Sequence, residues 1–343
     1  MKIGTCVHFN DINEMSKKFD ELLANGFDSC QLISWKPELW TDENAEILKN
    51  LINDKKIDVS AFWCGWEGPT VWDFYDGQIT LGLVPPEYRA GRVKNLCDGA
   101  DFAKKLGITD VVTHMGFIPE NPNDPQFAPF CVAVRTVAEH LKQNGQYLLF
   151  ETGQETPVTM LRCFEKVGTD NLGVNLDTAN VILYGRANPV DALDVFGKYV
   201  RNLHAKDGRY PTNGHDLGEE TRIGDGKVDF NRLFEKLHEI GYDSYVTIER
   251  EIEGEEQNKP SIDLSGNKSL SVKPDKLFDE GVAYTVNTDG LNLRSGPSTT
   301  YQIITSASKG NSVTAYAQDG DWLLVTTDGT TFGWVKSTYI TKK

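Results

Sequence analysis

Three absences bound what this chain does. No run of basic residues occurs, no apolar stretch approaches the roughly 18 residues needed to cross a membrane, and no two cysteines stand as C-x-x-C. The net charge is −15, which would repel nucleic acid unless a local basic patch existed. Neither a nucleic-acid nor a membrane partner is therefore expected. The first residues, MKIGTCVHFN, hold one lysine and no apolar h-region, so a cytoplasmic location without a secretory leader is expected. Cys6, Cys30, Cys64, Cys97, Cys131 and Cys163 spread over the first half and read as isolated buried thiols in a reducing compartment.

What is present is a rhythm of strands and helices. The 343 residues suit a barrel of about 250 residues plus a small module. Strand-like runs at Lys2–His8, Ser29–Ser34, Ile57–Phe62 and Asp110–His114 alternate with helical patterns at Ile12–Asn25, Thr41–Lys55 and Tyr88–Leu106. A fourth helix ends near Asn144, and four more strands follow. Strict alternation predicts a parallel sheet with helical crossovers, hence a (β/α)₈ TIM barrel over residues 1–252.

The rhythm fails over 253–280, where Pro260 and Pro274 interrupt a Ser-, Asn-, Lys- and Gly-rich stretch. It reads as a linker, and no regular eighth helix is expected there beyond a short turn at Asp275–Glu280. From residue 281 to 343, short alternating runs separated by Asp-Gly turns at Asp289, Asp319 and Asp328 predict a small all-β module. This segment carries +1, leaving −16 on residues 1–280.

Four residues read as one metal site: Glu151, Asp177, His204 and Glu249. Each stands at the end of a strand-like run, and the intervals of 26, 27 and 45 residues compare with roughly 30 for a strand-plus-helix unit. In such a barrel the C-terminal strand ends face one pocket. Three carboxylates and an imidazole converging there would raise one another's pKa, and a divalent cation resolves the conflict. An oxygen-rich set with one imidazole suits Mn²⁺, Co²⁺ or Mg²⁺, with Mn²⁺ taken first.

The segments PPEYRAGRV, GFIPENPNDP, FETGQETPVT, HAKDG and TIERE, in this order, resemble the sugar isomerase and epimerase superfamily built on the xylose-isomerase-like barrel. The resemblance implies one divalent ion on Glu151, Asp177, His204 and Glu249, with Glu151 and Glu249 as the catalytic proton-transfer pair. It departs from the ketose epimerases at Asn180, where they carry a His, and at Glu155, four residues after the first ligand where they carry a Glu at six. Both positions are assigned to substrate. The implied function is a metal-dependent sugar isomerase or epimerase working through an enediolate. The alternatives are a cyclitol (inosose-type) dehydratase on the same metal, or a cell-wall-binding protein with an inactive barrel. GLNLRSGPST, DGDWLLV and FGWVKSTYI resemble a bacterial SH3-like domain, which implies a peptidoglycan or peptide ligand and leaves a cell-surface location open. Homo-oligomerisation is also left open.

Further substrate contacts are expected from His114 after the fourth strand, from Trp66 in the aromatic-rich third loop, and from Arg209, which would hold a hydroxyl or phosphate. Gly224-Asp225-Gly226 reads as a tight turn capped by Asp rather than a phosphate cradle.

Overall fold

The computed structural model describes residues 1–251, 276–294, 296–299, 301, 303–327 and 332–343. Two compact units divide the chain, residues 1–258 and 259–343.

The first unit is a closed parallel barrel. Its strands are β1 (Lys2–His8), β2 (Ser29–Ser34), β3 (Asp58–Cys64), β4 (Asp110–Thr113), β5 (Tyr147–Glu151), β6 (Leu172–Asp177) and β7 (Val200–Ala205). A two-residue ribbon, β8 (Asp207–Gly208) with β9 (Glu220–Thr221), precedes the eighth barrel strand, β10 (Tyr245–Ile248). Closure comes from parallel pairing of β1 with β10, with Lys2 opposite Tyr245 and Thr5 opposite Ile248. Strands such as β2 and β6 are buried along their whole length, as expected where helices cover one face and the barrel interior the other.

The covering helices are α1 (Met15–Ala24), α2 (Asp42–Lys55), a short α3 (Gly77–Thr80), α4 (Pro86–Lys105), α5 (Phe127–Gln143), α6 (Pro157–Val167), a short α7 (Asn180–Leu183), α8 (Pro189–Phe196) and α9 (Phe230–Glu239). Local sequence sets their ends. Thr41 caps α2 by accepting from the Asn44 amide at 3.2 Å, and Thr156 caps α6 ahead of Pro157. Gly168 ends α6 in the left-handed region at φ 69°. The main core lies between strands and helices, with Phe19, Leu32, Phe62, Phe102, Phe130 and Leu176 fully buried. The position of an eighth helix lies outside the described residues.

The second unit is an antiparallel sheet of β11 (Lys276–Val286), β12 (Leu291–Arg294), β13 (Ile303–Ala307), β14 (Ser312–Asp319), β15 (Trp322–Thr326), β16 (Phe332–Lys336) and β17 (Ile340–Lys342). Leu293, Val325 and Val335 form its dry centre. Gly290 and Gly320 take positive φ in two of the expected Asp-Gly turns, while the third, at Asp328, lies outside the described residues. One expectation is corrected. Lys276–Glu280 is not a helical turn but the start of β11, because Lys276 and Leu277 pair with Gln318 and Ala317 of β14.

Candidate metal centre and active site

The four strand-end residues converge. Glu151 ends β5, Asp177 ends β6, His204 is the penultimate residue of β7, and Glu249 follows β10. Their ligand atoms all lie within 4.8 Å of one another. From His204 Nδ1, Glu249 Oε2 is 3.2 Å away, Glu151 Oε1 3.4 Å and Asp177 Oδ2 3.7 Å. The first three residues are fully buried, and the Glu249 side chain is 12% exposed, toward the cavity it lines.

Neighbouring groups aim these atoms. His204 Nε2 donates to Gln31 Oε1 at 2.8 Å; the Gln31 amide nitrogen donates in turn to Asn175 Oδ1 at 3.2 Å, so the oxygen faces the histidine. That fixes the ring with Nδ1 toward the carboxylates. Asp177 Oδ1 accepts from the Ala179 and Asn180 amides, both at 2.8 Å. Glu151 accepts from the Trp63 indole and from Asn175 and Asn180.

Two buried atoms at the centre, His204 Nδ1 and Asp177 Oδ2, have no hydrogen-bond partner. The cluster compensates by recruiting positive charge. Burial pushes the Asp177 carboxyl up to about 7 against the pull of Lys206. Burial opposes charge on His204, yet the Glu249 and Glu151 carboxylates outweigh it and hold the imidazole well above its usual value. Burial alone would also raise Glu249, but Lys206 and His204 hold it well below the carboxylate range. An orphaned nitrogen, an orphaned oxygen and this acidic donor set fit a divalent cation, which would replace those protons. Cys6 sulfur also lies within 4.8 Å of ligand atoms of His204 and Glu249, and burial pushes that thiol well up.

Above the centre lies a cavity of about 310 Å³, a size suited to a small ligand. Glu151, Glu249, Glu251, Asn180, His8 and His114 form its polar wall. Trp35, Trp63, Trp72 and Tyr184 form the apolar one. His114 Nε2 stands 3.5 Å from Glu151 Oε1, and its ring is 5.0 Å from that of Trp72. The structure thus brings His114 and Asn180 into the wall together with the two glutamates.

It places the other three expected contacts elsewhere. Trp66 is buried beside the cavity, its ring edge-on to Trp35 at 5.1 Å and 5.2 Å from the Arg92 guanidinium. Glu155 is buried outside the wall, and neither carboxyl oxygen has a hydrogen-bond partner. Arg209 faces solvent, 3.6 Å from Glu219, because the β8–β9 ribbon turns the chain outward after β7.

Sequence reading missed Lys206 and Gln31. Lys206 is only 1% exposed, and its Nζ is 3.2 Å from Glu249 Oε2 and bonded to Glu251. The signal was there: Lys206 follows His204 by two residues, and strand alternation puts both on one face. Gln31 is a lone amide inside a strand buried on both sides, which requires a polar partner in the barrel.

Arg92 of α4 holds the loop that carries Trp72. Its guanidinium donates to the carbonyls of Thr80 at 2.6 Å, Gly82 at 2.7 Å and Pro69 at 2.9 Å. Arg92→Met keeps the bulk but orphans these acceptors, so a stability loss of about 2 kcal/mol is expected, with faster proteolytic cleavage near Trp72. Unchanged melting together with unchanged cleavage would show that the clamp is dispensable.

The xylose isomerase-like TIM barrel family matches residues 19–271, and the bacterial SH3 domain family matches residues 289–341. An uncharacterised protein of Methanocaldococcus jannaschii is 29% identical over 281 residues, 78% of this chain and 87% of that one. Inosose dehydratase of Lacticaseibacillus casei is 23% identical over 166 residues, 43% of this chain and 54% of that one. A crystal structure of a xylose isomerase domain protein from Planctomyces limnophilus superposes with a TM-score of 0.66 at 32% identity, covering 73% of this chain and 89% of the other. An L-ribulose 3-epimerase structure shares the fold at a TM-score of 0.56 and 22% identity, covering 73% and 81%. With a match that spans most of the chain and a parallel barrel whose strand ends gather the acidic cluster, this protein belongs to the xylose isomerase-like TIM barrel family and carries a bacterial SH3 domain after its barrel.

Proposed function

We propose that the barrel is a divalent-metal-dependent sugar isomerase or epimerase that moves a proton at the carbon next to a carbonyl, through an enediolate. One observation carries the reading. Of the four clustered residues, only Glu151 and Glu249 reach the cavity wall, and they come from strands β5 and β10, with β6 and β7 between them. Two carboxylates approaching a substrate from different sides can remove a proton on one face and return it on the other. Asp177 and His204 stay beneath, as pure ligands.

The chain's own groups prepare each glutamate. Trp63, Asn175 and Asn180 hold Glu151 by hydrogen bonds, which fixes the direction of its oxygens. Lys206 keeps Glu249 ionised and able to act as base. His114 and Asn180 offer hydrogen bonds to substrate hydroxyls, and the indoles of Trp35 and Trp72 offer apolar faces. A bound Mn²⁺, Co²⁺ or Mg²⁺ would polarise the carbonyl as a Lewis acid. The test is hydrogen exchange with D₂O at the carbon next to the carbonyl, followed by NMR over a panel of ketoses with each ion. No exchange with any sugar and any ion would sink the proposal.

The similarity to an inosose dehydratase favours a second reading, a cyclitol dehydratase using the same base and losing a β-hydroxyl as water. Product mass separates the two, since only dehydration removes one water.

Metal stripping gives a direct check. Protein cleared of metal by a chelator and reloaded with Mn²⁺ at 100 times its Kd should gain about 2.7 kcal/mol of barrel stability. His204→Ala should lose most of that gain. Melting curves that ignore Mn²⁺ would remove the metal from the proposal.

A further inference from the structure

Building on that reading of the site, we propose that its substrate is an uncharged sugar or cyclitol, and that phosphorylated or carboxylated analogues are turned away. Among the described residues lining the cavity there is no arginine and no lysine, whereas three carboxylates, Glu151, Glu249 and Glu251, stand in the wall. Lys206 lies behind the wall and is already shared among Glu249, Glu251 and Asp177. Even with one dication present, four carboxylates against one ammonium leave a formal excess of one negative charge.

Two nearby places among the described residues that could take an anion are turned away or used up. Arg209 points to solvent beside Glu219. The loop 224–228 has the backbone amides that would cradle a phosphate, but an internal carboxylate fills the cradle. Asp207 Oδ2 accepts from the Gly224 amide at 2.9 Å and the Gly226 amide at 3.0 Å. Its Oδ1 accepts from Val228 at 3.1 Å and Gly208 at 2.8 Å. The fit is close enough that a Cβ on Gly226 would stand 2.1 Å from that oxygen. Of the two wall imidazoles, His114 is turned to Glu151 at 3.5 Å, and His8 stands at the exposed end of β1.

An incoming phosphate would thus lose water beside like charges with no partner gained. A neutral polyol meets no such cost. Its hydroxyls find carboxylates, Asn180 and imidazoles on one side, and its C–H face finds Trp35, Trp72 and Tyr184 on the other.

Calorimetric titration of the Mg²⁺-loaded full chain tests this with matched probes: D-fructose against D-fructose 6-phosphate, D-ribulose against D-ribulose 5-phosphate, and 2-keto-myo-inositol alone. At least one uncharged probe should bind, and the phosphate of any binding ketose should be weaker by about tenfold or more. Glu251→Gln should narrow that ratio. A phosphate that binds as tightly as its free sugar overturns the inference, and so does failure of every uncharged probe to bind. Hydrogen exchange on the same samples reads the reaction separately. Uncharged binding without exchange sinks the isomerase and leaves the charge selection standing. Exchange confined to a phosphorylated probe does the reverse.

Discussion

Glu151→Gln and Glu249→Gln should each lower turnover by about 10²–10⁴-fold at saturating metal, the usual contribution of a general acid–base group. Gln preserves the shape of the side chain and removes the basic oxygen. Both residues also face the metal centre, so each variant should need more Mn²⁺, and rates are to be compared only where metal occupancy is complete. The two variants should differ in exchange. The one that keeps the abstracting carboxylate should still wash substrate hydrogen into D₂O without completing epimerisation. The other should do neither. Wild-type rates in both variants with metal bound would refute the proton-transfer pair while leaving the metal site intact.

Glu155→Gln should stabilise the barrel at neutral pH and do little near pH 4. Burial, partly offset by Arg186, raises the Glu155 carboxyl from its ordinary 4.5 to about 8, and neither of its oxygens has a hydrogen-bond partner. The sign follows from proton binding. Between about pH 4.5 and 8 the unfolded chain has released a proton that the folded chain still holds. Stability therefore falls as pH rises through that window, and at pH 7 the loss is about 3 kcal/mol. Gln is neutral throughout, so it escapes the loss. Urea unfolding of the barrel at pH 4.5 and 7.5 should show a variant advantage only at the higher pH. An equal difference at both values would mean that Glu155 is not held protonated.

Much of the barrel was legible because its strands are short apolar runs bounded by clear helix signals. β1 and β2 fall on the expected residues, and α2 ends at Lys55 as expected. The metal cluster was legible for the same reason, since in a parallel barrel the end of a strand determines where its side chain goes. Arg209 and Trp66 show the limit. Both lie beyond a strand end, where the next turn decides direction. The β8–β9 ribbon sends Arg209 outward, and Trp35 occupies the wall in front of Trp66. Glu155 shows another limit: a carboxyl beside a ligand strand looked like a substrate contact, while the fold buries it. Lys206 was overlooked, despite its alternation with His204, because a lysine just past a strand usually points to water, and only the surrounding carboxylates make its burial tolerable.

The pairing that closes the barrel joins residues about as far apart in sequence as the unit allows. Thr5 Oγ1 donates to the Ile248 carbonyl across 243 positions. Strand β10 must slot between β1 and β7 before Glu249, whose amide donates to the Ala205 carbonyl, can join the other three clustered residues. Completion of the four-residue cluster is therefore expected late in folding, delayed by the entropy of closing so long a loop. On the ribosome, where the chain emerges N-terminus first, three of the clustered residues exist well before the fourth is made. The residues that follow β10 are still being added when Glu249 becomes free to dock. The four-residue cluster is thus complete only once the barrel has shut.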